Sequence, residues 1–116
     1  MQITDINTGI EVLVEAIKTD YRDWTLRSSD EYTEINIKMI NEFESGLEVK
    51  EGQKYFKVVN TRGGVWGFVV KNDDDDKFKA GDILRAASHN APTRNKARGN
   101  VLDGFSVCWT GPKYLV

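Results

Sequence analysis

The chain has 116 residues, 40% hydrophobic and 29% charged, with 16 lysines and arginines against 18 aspartates and glutamates and a net charge of −2. That length supports one modest core, and the acid excess excludes broad non-specific binding to duplex nucleic acid. No stretch approaches the roughly 20 apolar residues that span a bilayer, the N-terminus lacks a signal-peptide pattern, and a lone cysteine excludes an intramolecular disulfide or a cysteine-based zinc site, so a reducing cytosolic setting without a membrane partner is expected.

In chain order, Ile6, Ile10, Leu13, Ile17, Tyr21 and Trp24 recur at steps of three or four and form one stripe of a helix. Thr8 and Glu11 have capping-box spacing, so the helix is expected to start at Thr8, with Ile6 packed just before it. Ser28 and Glu31 repeat that spacing ahead of a second stripe, Tyr32, Ile35, Met39 and Phe43, and Gly46 stands where a C-terminal cap glycine belongs. Val12, Val14, Ile37 and Ile40 lie off the stripes and widen the apolar faces. Such faces serve either an oligomer contact or plain coverage of one side of a sheet.

From Tyr55 the periodicity changes. Tyr55–Asn60 and Val65–Val70 are rich in β-branched and aromatic residues and flank Thr61-Arg62-Gly63-Gly64, which predicts a hairpin. Asn72 to Lys77 reads as a charged turn, and Ile83–Ala87 as a third strand that Pro92 prevents from continuing in a central position. Phe105–Trp109 predicts a last strand, extended by Tyr114 and Leu115 after Gly111-Pro112. The expected fold class is α+β: two N-terminal helices followed by a small twisted antiparallel β-sheet with a long basic loop. It is expected as a single domain, 1–116, with a helical part, 1–46, and a sheet and ligand-loop part, 47–116.

The chemistry-bearing residues point away from catalysis. His89 and Cys108 are the single histidine and cysteine, and Cys108 sits in an apolar strand pattern that suits a buried structural thiol. Asp73–Asp76 lacks the alternating ligands and glycine of a calcium loop and reads as a solvated turn; with Lys77 it spells a protease recognition sequence whose internal position suggests coincidence. Gly63-Gly64 is too short for a phosphate fingerprint. No catalytic residue, metal or cofactor is expected, and the chain reads as a non-enzyme.

Between Ile83 and Leu102 there is no acidic residue, while Arg85, Arg94, Lys96, Arg98 and His89 all fall inside the window. Arginine forks grip phosphate oxygens, exposed amides add donors, and Asn or His reads the organic part of a ligand. Gly99 and Asn100 contribute a sharp turn and an amide that donates and accepts. The plainer alternative is a solvated loop whose charges keep it soluble. Trp66 and Phe68 alternate within a strand and are expected to share one face. They and Trp109 serve as core or as walls for a nucleobase, and Arg62 in the hairpin turn joins the candidate ligand set.

Ala86-Ala87-Ser88-His89-Asn90-Ala91-Pro92, then Ala97-Arg98-Gly99-Asn100 and a closing Gly111-Pro112-Lys113-Tyr114-Leu115, resembles small proteins of tailed bacteriophages. In those, an AxSWxAPA…ARGN loop follows a strand and the chain ends in a Tyr-Leu segment; here His89 stands at the aromatic position. Among them are the phage sponge proteins, of the first type described, that counter the Thoeris defence system. The resemblance implies a non-enzymatic homo-oligomer, dimer-based and up to a hexamer, in the cytoplasm of the infected bacterial host. It would sequester cyclic ADP-ribose isomers made by TIR-domain enzymes, and some members also hold cyclic oligonucleotides of the CBASS system. The ligand set on this reading is His89, Asn90, Ala91, Pro92, Arg94, Arg98, Gly99 and Asn100, with Arg62 and Trp109. Arg98 would meet a phosphate, and Asn100 and the His89 ring the ribose or base. Two other classes stand beside it: a phage protein that inhibits a host enzyme by direct binding through the Asp73–Asp76 turn and the helix faces, and a nucleotide hydrolase with an unrecognised base or metal site.

Overall fold

The first helix starts at Ile6 rather than Thr8 because Asp5 supplies the cap: its carboxylate accepts the Asn7 N–H at 3.1 Å and the Thr8 hydroxyl at 3.2 Å. The computed structural model describes residues 5–26, 33–60, 64–73, 76–88, 90–94, 96–105, 107–108 and 111–112. Within them α1 (Ile6–Leu26) buries Ile10, Leu13, Ile17 and Tyr21, the stripe its spacing predicts, while Trp24 at the end of the stripe is exposed.

The second helix, α2 (Glu34–Gly46), is capped by Thr33, whose hydroxyl accepts the Asn36 N–H at 3.2 Å; Ser28, Glu31 and Tyr32 lie outside the described residues. Its buried face differs from the predicted one. Ile35 is 72% exposed and Met39 is also exposed, whereas Ile40 is buried and Phe43 stacks on Tyr21 with ring centroids 4.0 Å apart. That stack and the Arg22–Glu44 ion pair set the rotation of α2 about its axis, which leaves Ile35, Ile37 and Met39 on its outer shoulders. Gly46 is the last helical residue and not a left-handed cap. Leu47 follows in extended conformation, its N–H bonded to the Glu44 carbonyl, and the chain passes directly into a strand.

Four strands form an antiparallel meander in sequence order: β1 (Leu47–Glu51), β2 (Tyr55–Asn60), β3 (Gly64–Val70) and β4 (Ile83–Arg85). The α+β architecture and the β2–β3 hairpin are as expected. β1 escaped the sequence reading because Leu-Glu-Val-Lys-Glu, although it alternates, has only two apolar residues and three charged ones that strands disfavour. The predicted strand over 105–109 is divided. Phe105 in β6 (Gly104–Phe105) pairs back onto Gly99 in β5 (Gly99–Asn100), whereas Val107 in β7 (Val107–Cys108) pairs with Pro112 in β8 (Gly111–Pro112).

A bulge decides which side chains share a face. Val58 pairs with Gly67 and Val59 with Val65, so Trp66 is the extra residue and the alternation of β3 is reset there. Trp66 therefore joins Phe56, Val58, Val69 and Ile83 against Ile10, Leu13 and Ile17 of α1, with Val101 beneath. Phe68 lies on the opposite face with Val70, Leu84 and Phe78, against Tyr55, Val65, Ala86 and Ala97. The expectation that Trp66 and Phe68 share a face is overturned for this reason. α1 lies so close to the chain beyond β5 that a Cβ on Gly9 would sit 2.8 Å from the Val101 carbonyl oxygen. The second face of the sheet is covered by Phe78 and by Ala86 and Ala97, which anchor the two ends of the loop after β4, while most of the basic segment between them is exposed. Among the described residues, no helix is long and apolar enough to cross a membrane.

Candidate functional site

The loop after β4 is a narrow hairpin extension. Ala86 bridges to Pro92, the Thr93 N–H donates to the Arg85 carbonyl at 2.7 Å, and the Ala87 and Ser88 N–H groups share the Ala91 carbonyl at 3.0 and 3.1 Å. The expected strand through Ala87 thus ends at Arg85, because from Ala87 onward the amides close the turn. The tip is exposed at Ala87, Ser88, Asn90 and Ala91, and Pro92 is half-buried. His89, Arg62 and Trp109 lie outside the described residues.

On the returning leg, Arg94 is held by several groups at once. Its guanidinium lies 5.0 Å from the Phe78 ring centroid, Nη1 donates to the Tyr55 hydroxyl at 2.5 Å, and Nη2 is 3.6 Å from the Asp76 carboxylate. Lys77 donates through Nζ to the Arg94 carbonyl at 2.6 Å. The acidic turn therefore does more than face solvent: Asp76 pairs with Arg94, and Asp73 accepts the Ala80 N–H at 2.9 Å. Tyr55 and Phe78 went unrecognised as site residues, since nothing in the sequence links them to an arginine so far along the chain.

Arg98 and Asn100, expected to touch ligand, are both 6% exposed. The Arg98 N–H donates to the Ile83 carbonyl at 2.7 Å, which ties the loop's end alongside β4. Asn100 is occupied completely. Its amide nitrogen donates to Asp82 Oδ1 at 2.9 Å and to the Ala80 carbonyl at 3.1 Å, while its oxygen accepts the N–H groups of Leu102 at 2.7 Å and Asp103 at 3.2 Å. Both donors and both lone pairs of the side chain are used, so in this conformation Asn100 is a structural tie and has no capacity left to read a base. Gly99, half-buried, pairs with Phe105. Opposite Asn100, Gly81 has φ +92 and no room for a side chain: a Cβ there would lie 2.8 Å from Asn100 Oδ1.

Asp82 extends this network by accepting the Lys79 N–H at 3.1 Å. The Lys79 ammonium is held above its ordinary value, first by its hydrogen bond to Asp103 and then by that carboxylate's charge, with Asp82 and Asp73 adding to it. Among the described residues no group of three or more histidine, cysteine, aspartate or glutamate side chains is placed to hold a metal ion. The arrangement is a polar hairpin tip mounted on a rigid base, with a preorganised arginine on one leg and Arg85 and Lys96 exposed nearby in sequence.

No curated protein and no solved structure matches the chain. A family model does match, over residues 1–110, nearly the whole sequence, and on that match the chain belongs to DUF7717, a family of unknown function.

Proposed function

We propose that the chain is a phage anti-defence sponge that binds a cyclic nucleotide signal and sequesters it without cleavage, as a homo-oligomer in the cytoplasm of the infected host. Cyclic ADP-ribose isomers are the first ligand class and cyclic oligonucleotides the second. The reading draws on the resemblance carried by residues 86–100 and 111–115. The observation that supports it best is the Arg94 fork, laid on Phe78 and steadied by Tyr55, on the same leg as the exposed hairpin tip. A fork fixed in this way loses little further freedom when it grips a phosphate, and the exposed Asp76 carboxylate is an anion that a phosphate can displace. Asn90, Ala91 and Pro92 then face the organic part of the ligand, while Arg98 and Asn100 hold the loop in shape.

The test is a thermal-stability screen against cyclic ADP-ribose isomers and cyclic di- and trinucleotides. A ligand at 100 times its dissociation constant stabilises the fold by about 2.7 kcal/mol. Arg94→Ala should weaken that ligand's binding by roughly tenfold to a few hundredfold. Ligand released intact on heat denaturation supports sequestration, and an altered product identifies a hydrolase. Silence from the entire panel favours the second reading, inhibition of a host enzyme by direct contact, which the exposed apolar residues Trp24, Ile35, Ile37 and Met39 support.

A further inference from the structure

The outer edge of the sheet is β1, and its sequence is self-complementary. The Gly52 N–H bonds the Tyr55 carbonyl at 2.9 Å, and Glu51 opposes Phe56 in the register, so Gly52, Lys50 and Glu48 direct their backbone groups toward β2. The intervening residues Val49 and Glu51 therefore point their N–H and C=O groups away from the sheet, and Leu47 points its carbonyl the same way. All of β1 beyond Leu47 is exposed, including Val49 at 37%. Within the sheet Lys50 stands directly opposite Lys57, a like-charge pair that is unfavourable across a ladder.

We infer that β1 pairs with β1 of a second copy of this chain, antiparallel about a twofold axis through Val49, to make one continuous sheet across a dimer. In that register the two Val49 residues exchange N–H···O bonds, and each Glu51 N–H meets the carbonyl of the partner's Leu47. Glu48 falls opposite the partner's Lys50, and Lys50 opposite the partner's Glu48, as non-hydrogen-bonded pairs in which side chains approach most closely. Lys50 thereby gains an acidic neighbour on the side away from Lys57. Moving the axis by one residue places Glu48 against Glu48 or Lys50 against Lys50, so charge selects the Val49-centred register. The second copy is the fitting occupant because the same five residues supply both halves of every pair, as a twofold interface requires. The inference rests on the homo-oligomer of the proposed reading and not on its ligand, so a silent ligand screen leaves the dimer standing, and loss of the β1 pairing leaves the ligand site standing.

Sedimentation equilibrium on the full chain tests it, with Glu48→Lys, Lys50→Glu and the double swap. Wild type should dimerise at micromolar concentration. Each single swap should weaken dimerisation by at least about tenfold, since two opposite-charge pairs become like-charge pairs, and the double swap should restore it. Val49→Pro removes an outward N–H without touching the β1–β2 ladder, and should abolish the dimer while the melting profile shows the fold intact. A monomeric wild type overturns the inference, as does a dimer indifferent to the single swaps or a double swap no better than either.

Discussion

At the scale of single residues, the side chain most changed in meaning by the structure is Asn100. Replacing it with alanine leaves Asp82 Oδ1, the Ala80 carbonyl and the amides of Leu102 and Asp103 without their partner, so Asn100→Ala should cost about 3 kcal/mol in a urea titration. A loss under about 1 kcal/mol would show that water replaces the amide readily. Asn100→Asp makes a sharper test. It would set a carboxyl against the Asp82 carboxylate, and two such groups in contact do not both ionise, so the pair's upper pKa would rise above the unfolded value. A raised folded pKa contributes stability that is present in acid and lost as pH rises through it. The variant should therefore recover relative to wild type as pH falls through the carboxylate range, whereas Asn100→Ala should not. Arg98→Ala should lower the melting temperature of the ligand-free protein, because a side chain this buried packs along its whole length; unchanged melting would return Arg98 to the ligand.

At the scale of elements, close approach reverses an ordinary preference. Alanine in a helix is normally favoured over glycine by about 1 kcal/mol, yet Gly9→Ala should destabilise the protein by about 1–3 kcal/mol, since the new methyl would meet the Val101 backbone and side chain. A stabilised Gly9→Ala variant in thermal denaturation would mean that α1 can shift away from Val101. The two faces of α2 give a paired test: Ile40→Ala should cost about 2–4 kcal/mol and Ile35→Ala within about 0.5 kcal/mol. The stripe of α1 was legible because Ile10, Leu13, Ile17 and Tyr21 repeat with one period and meet one core. That of α2 was not, because its apolar residues spread over too wide an arc to show which part would meet Tyr21. The bulge at Trp66 was hidden for a similar reason: an extra residue in β3 is defined by its pairing with β2, and Gly67, the one local hint of a bulge, does not tell which residue is extra.

At the scale of the whole molecule, α1 covers one face of the sheet, and Phe78 with the two ends of the loop after β4 covers the other. Loop anchorage and fold stability should therefore be coupled, since the same Phe68, Phe78 and Leu84 cluster supports both. Phe78→Ala should cost about 3–5 kcal/mol as a core truncation and should also weaken ligand binding by releasing Arg94. Calorimetry on the folded variant would separate the two effects. Affinity equal to wild type would place the ligand away from Arg94.

The sequence by itself determined the α+β class, the α1 stripe, the β2–β3 hairpin and the concentration of basic residues after β4, because each depends on neighbours within a turn or two of chain. It also singled out the segment that includes Arg94, Arg98 and Asn100. Only the tertiary structure decided which of those arginines and amides faces outward. That choice rests on contacts between distant segments, Asn100 with Asp82 and Arg94 with Tyr55, whose energies depend on burial and on a second group arriving at hydrogen-bond distance. Residue type alone carries the capacity to bind a phosphate or to tie a loop, and the fold commits Asn100 to tying the loop by filling all of its hydrogen bonds from within.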